Sequence, residues 1–142
     1  MSGSQRILFL SLRPQYVDLI LKGEKTVELR RQRPKVRGND IVILYASSPV
    51  MSVLGTAKVN EVFRDSVKKI WKNFGAETGI TRKEYDSYFD DTEDATAISL
   101  KSTVRLREPV PLTSIRNVID GFQPPQSFRY LSSEEKDALL CA

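Results

Sequence analysis

The stretch Lys22-Gly23-Glu24-Lys25-Thr26-Val27-Glu28-Leu29-Arg30-Arg31 sets the tightest limit on what this chain folds into. Up to Leu21 the apolar residues recur at helical spacing, Gly23 interrupts them, and from Lys25 the pattern switches to period two. On a strand, Val27 and Leu29 share one face. Glu28 and Arg30 then project together from the other, with Thr26 beside them and Lys25 at the strand mouth. A carboxylate and a guanidinium on one face both accept and donate hydrogen bonds, which makes that face a compact polar site. The same alternation also describes a solvated strand held by a surface ion pair, and the sequence leaves both readings standing.

Around this stretch the chain reads as strands with helices inserted between them. Residues 7–12 are a nearly continuous apolar run, which marks a buried strand. Pro14 suits the first turn of a helix whose apolar face carries Tyr16, Val17, Leu19, Ile20 and Leu21. Residues 25–31 give the second strand, ended by Pro34, and the turn Arg37-Gly38-Asn39-Asp40 leads into a buried strand over residues 41–45. Residues 53–63 read as another strand, with Gly55 marking a bulge or a close approach. Val67, Ile70, Trp71 and Phe74 predict a helix over residues 66–74 that packs through Trp71.

Residues 75–79, bracketed by glycines, read as a flexible loop. Thr81 and Glu84 have capping-box spacing at the head of a helix carrying Tyr85, Tyr88 and Phe89. After an acidic connection over residues 90–94, alternation over residues 95–107 predicts a long strand ended by Pro109 and Pro111. Residues 112–119 fit a short helix or a turn, Pro124-Pro125 hold residues 123–130 extended, and Ser132 with Glu135 opens a terminal helix. The class is α+β, a small mixed or antiparallel β-barrel of about five to six strands with flanking helices. Its cleft is lined by the strand over residues 25–30.

A chain of 142 residues with 40% hydrophobic residues fits one domain over residues 5–142, with residues 1–4 read as a tag or disordered N-terminus. No apolar run reaches the roughly 20 residues that span a bilayer, so no membrane partner and a cytoplasmic location are expected. The chain has no histidine and one cysteine, Cys141, which excludes a histidine dyad or triad and argues against a cysteine metal site; no metal and no cofactor are expected. Acid–base chemistry falls to Lys, Glu, Asp or Tyr. The net charge of +4 is unevenly spread, because Lys22, Lys25, Arg30, Arg31, Arg33 and Lys35 face only Glu24 and Glu28 in the same segment. Such a patch is the footprint of a polyanion, or else a solvated basic loop.

The motif Gly23-x-Lys25-Thr26-x-Glu28-x-Arg30, after a proline-started helix and before a buried strand, resembles the ASCH domain of the PUA-like β-barrel superfamily. Tyr45-Ala46-Ser47, the segment from Gly79 to Tyr85 leading to Tyr88-Phe89, and the segment from Pro124 to Tyr130 extend the resemblance over most of the chain. It implies a barrel with a cleft between sheet and helices and a role in binding RNA. Some small ASCH proteins are amidohydrolases of N4-acylcytidines that use a lysine, a threonine shortly after it and a distant glutamate. Lys25 matches that lysine and Arg30 the family arginine, Glu28 stands three positions beyond Lys25 in place of threonine, and Glu77 is the nearest candidate for the glutamate.

Two functions follow, beside a third reading as a regulatory or protein-interaction domain whose contact surface is the Pro124-Pro125 segment and the terminal helix. In the first, an RNA-binding cleft takes an unstacked nucleotide from RNA, or a single nucleotide or nucleoside. Lys25, Thr26, Arg30, Arg31, Arg33 and Arg129 meet phosphate or base oxygens, Glu28 accepts from a base amino group, Ser47 lines the site, and Tyr45 or Phe128 offers a stacking face unless each is core. In the second, the cleft belongs to a hydrolase of RNA or of N4-acylated cytidine nucleosides, with Lys25, Glu28 and Glu77 as catalytic candidates. Glu28 beside Lys25 favours a binding ammonium over a neutral amine, unless Arg30 takes Glu28 for itself.

Overall fold

The computed structural model describes residues 5–141; the N-terminal residues read above as a tag or disordered end lie outside the described residues. Its strands are β1 (Ile7–Leu12), β2 (Val27–Arg30), β3 (Ile41–Ala46), β4 (Ser52–Ser66), β5 (Asp94–Pro111) and β6 (Phe128–Leu131). Its helices are α1 (Pro14–Leu21), α2 (Val67–Phe74), α3 (Arg82–Tyr88), α4 (Leu112–Val118) and α5 (Ser133–Leu140). The strands form one mixed, curled half-barrel sheet in the order β2-β5-β4-β3-β1-β6, in which β1 and β3 are parallel and every other pair is antiparallel. No helix among the described residues is long and apolar enough to cross a membrane.

The two continuous apolar runs become the parallel pair at the centre, because such strands are buried on both faces. Leu8, Leu10, Leu12, Val42, Leu44 and Ala46 point to one side, where Val17 and Ile20 of α1 cover them. Ile7, Phe9, Ile43 and Tyr45 point to the other, against Leu112 and Ile115 of α4 and Leu139 of α5. A third cluster joins Val27 and Leu29 of β2 to Ala95 and Ala97 of β5, Ile70 of α2, and Tyr85 and Phe89 of α3. Each large aliphatic side chain fully buried there contributes about 1.5–3 kcal/mol. Trp71 is half-buried against this cluster, its ring 4.7 Å from that of Tyr85, while Ile70 is the residue of α2 that is fully buried.

Gly55 is both a bulge and a close approach: the β3–β4 and β4–β5 registers shift beside it, and a Cβ there would lie 2.6 Å from Leu21 and from the Val104 carbonyl. Three expectations need correction. The second strand starts at Val27 rather than Lys25. Residues 75–79 are not a loose loop, since Gly75–Glu77 form a 3-10 turn whose Glu77 carbonyl accepts from the Thr26 N–H at 3.0 Å. The long strand does not end before Pro109 but runs to Pro111, paired with Ser52. Beyond the four residues that pair with β2, β5 has β4 alone as a partner, so it is an edge there and a proline without an N–H costs it no ladder bond.

Candidate functional site

The alternation of β2 decides what the sheet offers at its edge. Val27 and Leu29 are spent on the third hydrophobic cluster, so Glu28 and Arg30 turn the other way, into a cleft of about 940 Å³. Ser11, Leu12 and Tyr16 wall it on one side, Lys83, Glu84 and Tyr88 of α3 on another, and Ser47, Ser48 and Met51 with Pro124-Pro125-Gln126 complete the mouth.

Lys25 reaches the floor because α1 is closed off just before it. Gly23 takes a φ of +81°, and the N–H groups of Glu24 and Lys25 both donate to the Leu19 carbonyl. The Lys25 ammonium is 2% exposed and lies 3.2 Å from Glu28 Oε1. It donates to the Thr78 carbonyl at 2.5 Å and sits 5.6 Å from the centre of the Tyr16 ring. All three neighbours are electron-rich, the surroundings of a donor cation. Gly79 lets the chain close over this ammonium: its φ is +71°, and a Cβ there would stand 3.3 Å from the Lys25 side chain. Glu28 Oε2 takes Arg30 Nη1 at 2.5 Å, so the carboxylate bridges both cations rather than choosing one. Arg30 also donates to the carbonyls of Ser11 at 3.1 Å and Leu29 at 3.2 Å, while its buried Nε–H has no partner among the described residues.

The rim is looser. Tyr16 donates its hydroxyl to Glu84 Oε2 at 3.2 Å, across 68 residues of sequence. Burial, then the bond to Glu84, raises the Tyr16 pKa and keeps it a phenol. The backbone and side chain of Thr81 and then Tyr16 lower that of Glu84 and keep it a carboxylate. Arg31 donates to the Tyr88 carbonyl at 2.9 Å and stacks 4.3 Å from its ring centre. Counting the whole lining, five cationic side chains (Arg13, Lys25, Arg30, Arg31 and Lys83) face two carboxylates, Glu28 and Glu84.

Of the residues singled out from sequence, Lys25, Glu28, Arg30, Arg31, Tyr45 and Ser47 line this cleft. Thr26 is exposed and outside its lining, and its backbone ties the 3-10 turn to Leu100 of β5. Glu77 is also exposed and outside it, because the turn offers its carbonyl to Thr26 and leaves the side chain in solvent. Arg33 belongs to a different groove. Arg129 pairs with Glu135 at 3.6 Å and stacks 4.9 Å from Phe122, and Phe128 packs on the first core cluster. Tyr45 is 2% exposed, its ring 5.3 Å from that of Phe9, so it closes the cleft from the core and has no free face. Arg13, Tyr16, Lys83 and Glu84 were not singled out as site residues. Glu84 already had a structural role in the capping box, which is present, and Tyr16 counted only as core.

Comparison with known proteins identifies the family. The family model described as the ASCH domain matches residues 10–104. An ASCH domain-containing ribonuclease from Zymomonas mobilis is 35% identical over 131 residues, covering 92% of this chain and 88% of that protein. Crystal structures of the ASCH protein from Zymomonas mobilis superpose with a TM-score of 0.92 at 33% identity, one of them covering 96% of this chain and 98% of its own. A large ribosomal subunit protein uL22 from Ureaplasma parvum is 30% identical over 90 residues, which is 63% of this chain and 28% of that longer protein. The N-terminal domain of Staphylothermus marinus McrB shares the fold alone, with a TM-score of 0.63 at 16% identity. The family model covers well over half of the chain, the fold of nearly the whole chain agrees with the Zymomonas mobilis structures, and this chain belongs to the ASCH domain family.

Proposed function

We propose that this protein binds single-stranded RNA in the cleft and cleaves it there. The observation that carries the reading is the cation excess of the lining, five against two, with Lys25 and Arg30 locked at the floor by one shared carboxylate. Fixed cations at the bottom of a cleft stabilise the charge that builds on a phosphate during strand cleavage, without reorganising as it builds. Arg13, Arg31 and Lys83 at the rim meet neighbouring phosphates, and the half-buried Tyr88 lines the cleft beside them. Glu84, in no ion pair among the described residues, has Oε1 taken by the Thr81 N–H and Oε2 by the Tyr16 hydroxyl, so it holds Tyr16 at the wall of the cleft. The similarity to a protein described as a ribonuclease, over almost all of both chains, supports cleavage rather than binding alone. The N4-acylcytidine alternative calls for a glutamate distant in sequence; its candidate, Glu77, is exposed and outside the cleft lining, and the carboxylate beside Lys25 is Glu28.

Incubating the protein with single-stranded RNA, with and without a divalent metal, and separating the products by chromatography tests the proposal. RNA fragments are expected, and Arg30→Ala should abolish them. Lys83→Ala should keep the fold and lower the slope of log affinity against log salt by about 0.7. A folded protein that neither binds nor cuts RNA overturns the reading.

A further inference from the structure

We infer that a groove at the far end of β1 is a second contact surface for the backbone of the same RNA strand, an inference that rests on the RNA reading above. The groove encloses about 920 Å³ and is lined by Arg6, Arg33, Lys35, Arg37 and Tyr130. All four cations are exposed, and none is in an ion pair among the described residues. The carboxylate in the lining, Asp40, is buried, and its two oxygens are taken by the backbone N–H groups of Arg6 at 3.0 Å and Arg37 at 2.9 Å. Asp40 thus braces the two chain segments that present the cations and forms no side-chain pair with them.

The aromatic in the groove is fixed as well. The Lys35 N–H donates to the Tyr130 hydroxyl at 2.7 Å, the residue is 37% exposed, and the Arg6 guanidinium lies 5.7 Å from the centre of its ring. Unpaired arginines and lysine around an anchored, open aromatic face combine phosphate neutralisation with a surface for a base or sugar. That combination fits a nucleic-acid strand, which brings both phosphates for the cations and bases for the aromatic face.

Position decides that the strand is shared with the cleft. The two ends of β1 line the two sites, Ser11 and Leu12 the cleft and Arg6 and Ile7 the groove. Residues 30–37 and 126–130 likewise begin at one and end at the other. From Ser11 to Arg6 is on the order of 17 Å of extended chain, well within the span of a single strand whose footprint runs to roughly 4–16 nucleotides. RNA seated in the cleft therefore continues into the groove, and its length sets how tightly it is held.

The test compares the double variant Lys35→Gln/Arg37→Gln with wild type on a dinucleotide and on a single strand of about 12 nucleotides, across a salt series. The variant should bind the long strand about tenfold more weakly with a salt slope lower by about 1.4, and should bind and cut the dinucleotide as wild type does. Unchanged affinity and slope on the long strand overturn the groove while leaving the cleft reading intact. Equal weakening on the dinucleotide overturns it too, since the charges would then act as a diffuse field. Binding of polyglutamate that the double variant loses, with RNA binding kept, assigns the groove to an acidic protein instead. A wild-type protein that ignores both RNAs removes the cleft reading and this inference together.

Discussion

The two ends of β1 carry the same residue types in opposite physical states. At the cleft end, the buried Lys25 and the largely buried Arg30 are tied to Glu28, with backbone carbonyls taking further donors. At the groove end, Arg6, Arg33, Lys35 and Arg37 are exposed, and none has a carboxylate partner among the described residues. Buried charges must be paired to persist, so the cleft cations are fixed in place and couple to the fold. Exposed charges keep their water and their freedom, so the groove cations couple to ionic strength. At these two ends of β1, burial separates a rigid floor from an adjustable rail.

The largest effect that could break this contrast is the loss of the shared carboxylate. Glu28→Ala leaves two buried cations facing each other, and the expected cost is about 3–5 kcal/mol of unfolding free energy, read from urea denaturation. A shift no larger than the ~1 kcal/mol of a surface pair would show that water already screens the floor. Arg30→Ala comes next, at about 2 kcal/mol, because it removes charge-assisted bonds but leaves Glu28 paired with Lys25. The groove variant Lys35→Gln/Arg37→Gln should stay within ~0.5 kcal/mol of wild type in the same titration. A groove variant that unfolds as readily as Arg30→Ala would erase the distinction.

How much of this was legible in the sequence follows the range of the forces involved. The two faces of β2 were legible because a strand's alternation is local, and the capping boxes at Thr81 and Ser132 because their spacing is fixed by one helical turn. The basic segment was legible as charge but not as geometry. Arg30 and Arg33 are near neighbours in sequence, yet one ends on the cleft floor and the other in the far groove, because the chain leaves the sheet after Arg30. Pro109 misled for a related reason: only the sheet order reveals that its stretch of β5 is an edge. Glu84 was the hardest, since a capping role accounted for it locally and hid its long-range partner, Tyr16.

That pair yields the smallest effect and a fine test of where the rigid floor gives way to the adjustable rim. Glu84 carries a carboxyl group whose pKa is lowered in the fold, first by the Thr81 backbone N–H, then by the Thr81 side chain, then by Tyr16. A lowered folded-state value means that its contribution to stability is fully present above the ordinary carboxylate pKa and is lost as pH falls through the folded value. Tyr16→Phe deletes the last of those donors and leaves the capping box in place, so the Glu84 titration should move up towards the ordinary value. Stability should then begin to fall at a slightly higher pH than in wild type. Following the Glu84 side-chain carboxyl by NMR reads the shift directly. An identical midpoint in both proteins would mean that water, rather than Tyr16, satisfies the carboxylate, and that the rim of the cleft is as adjustable as the far groove.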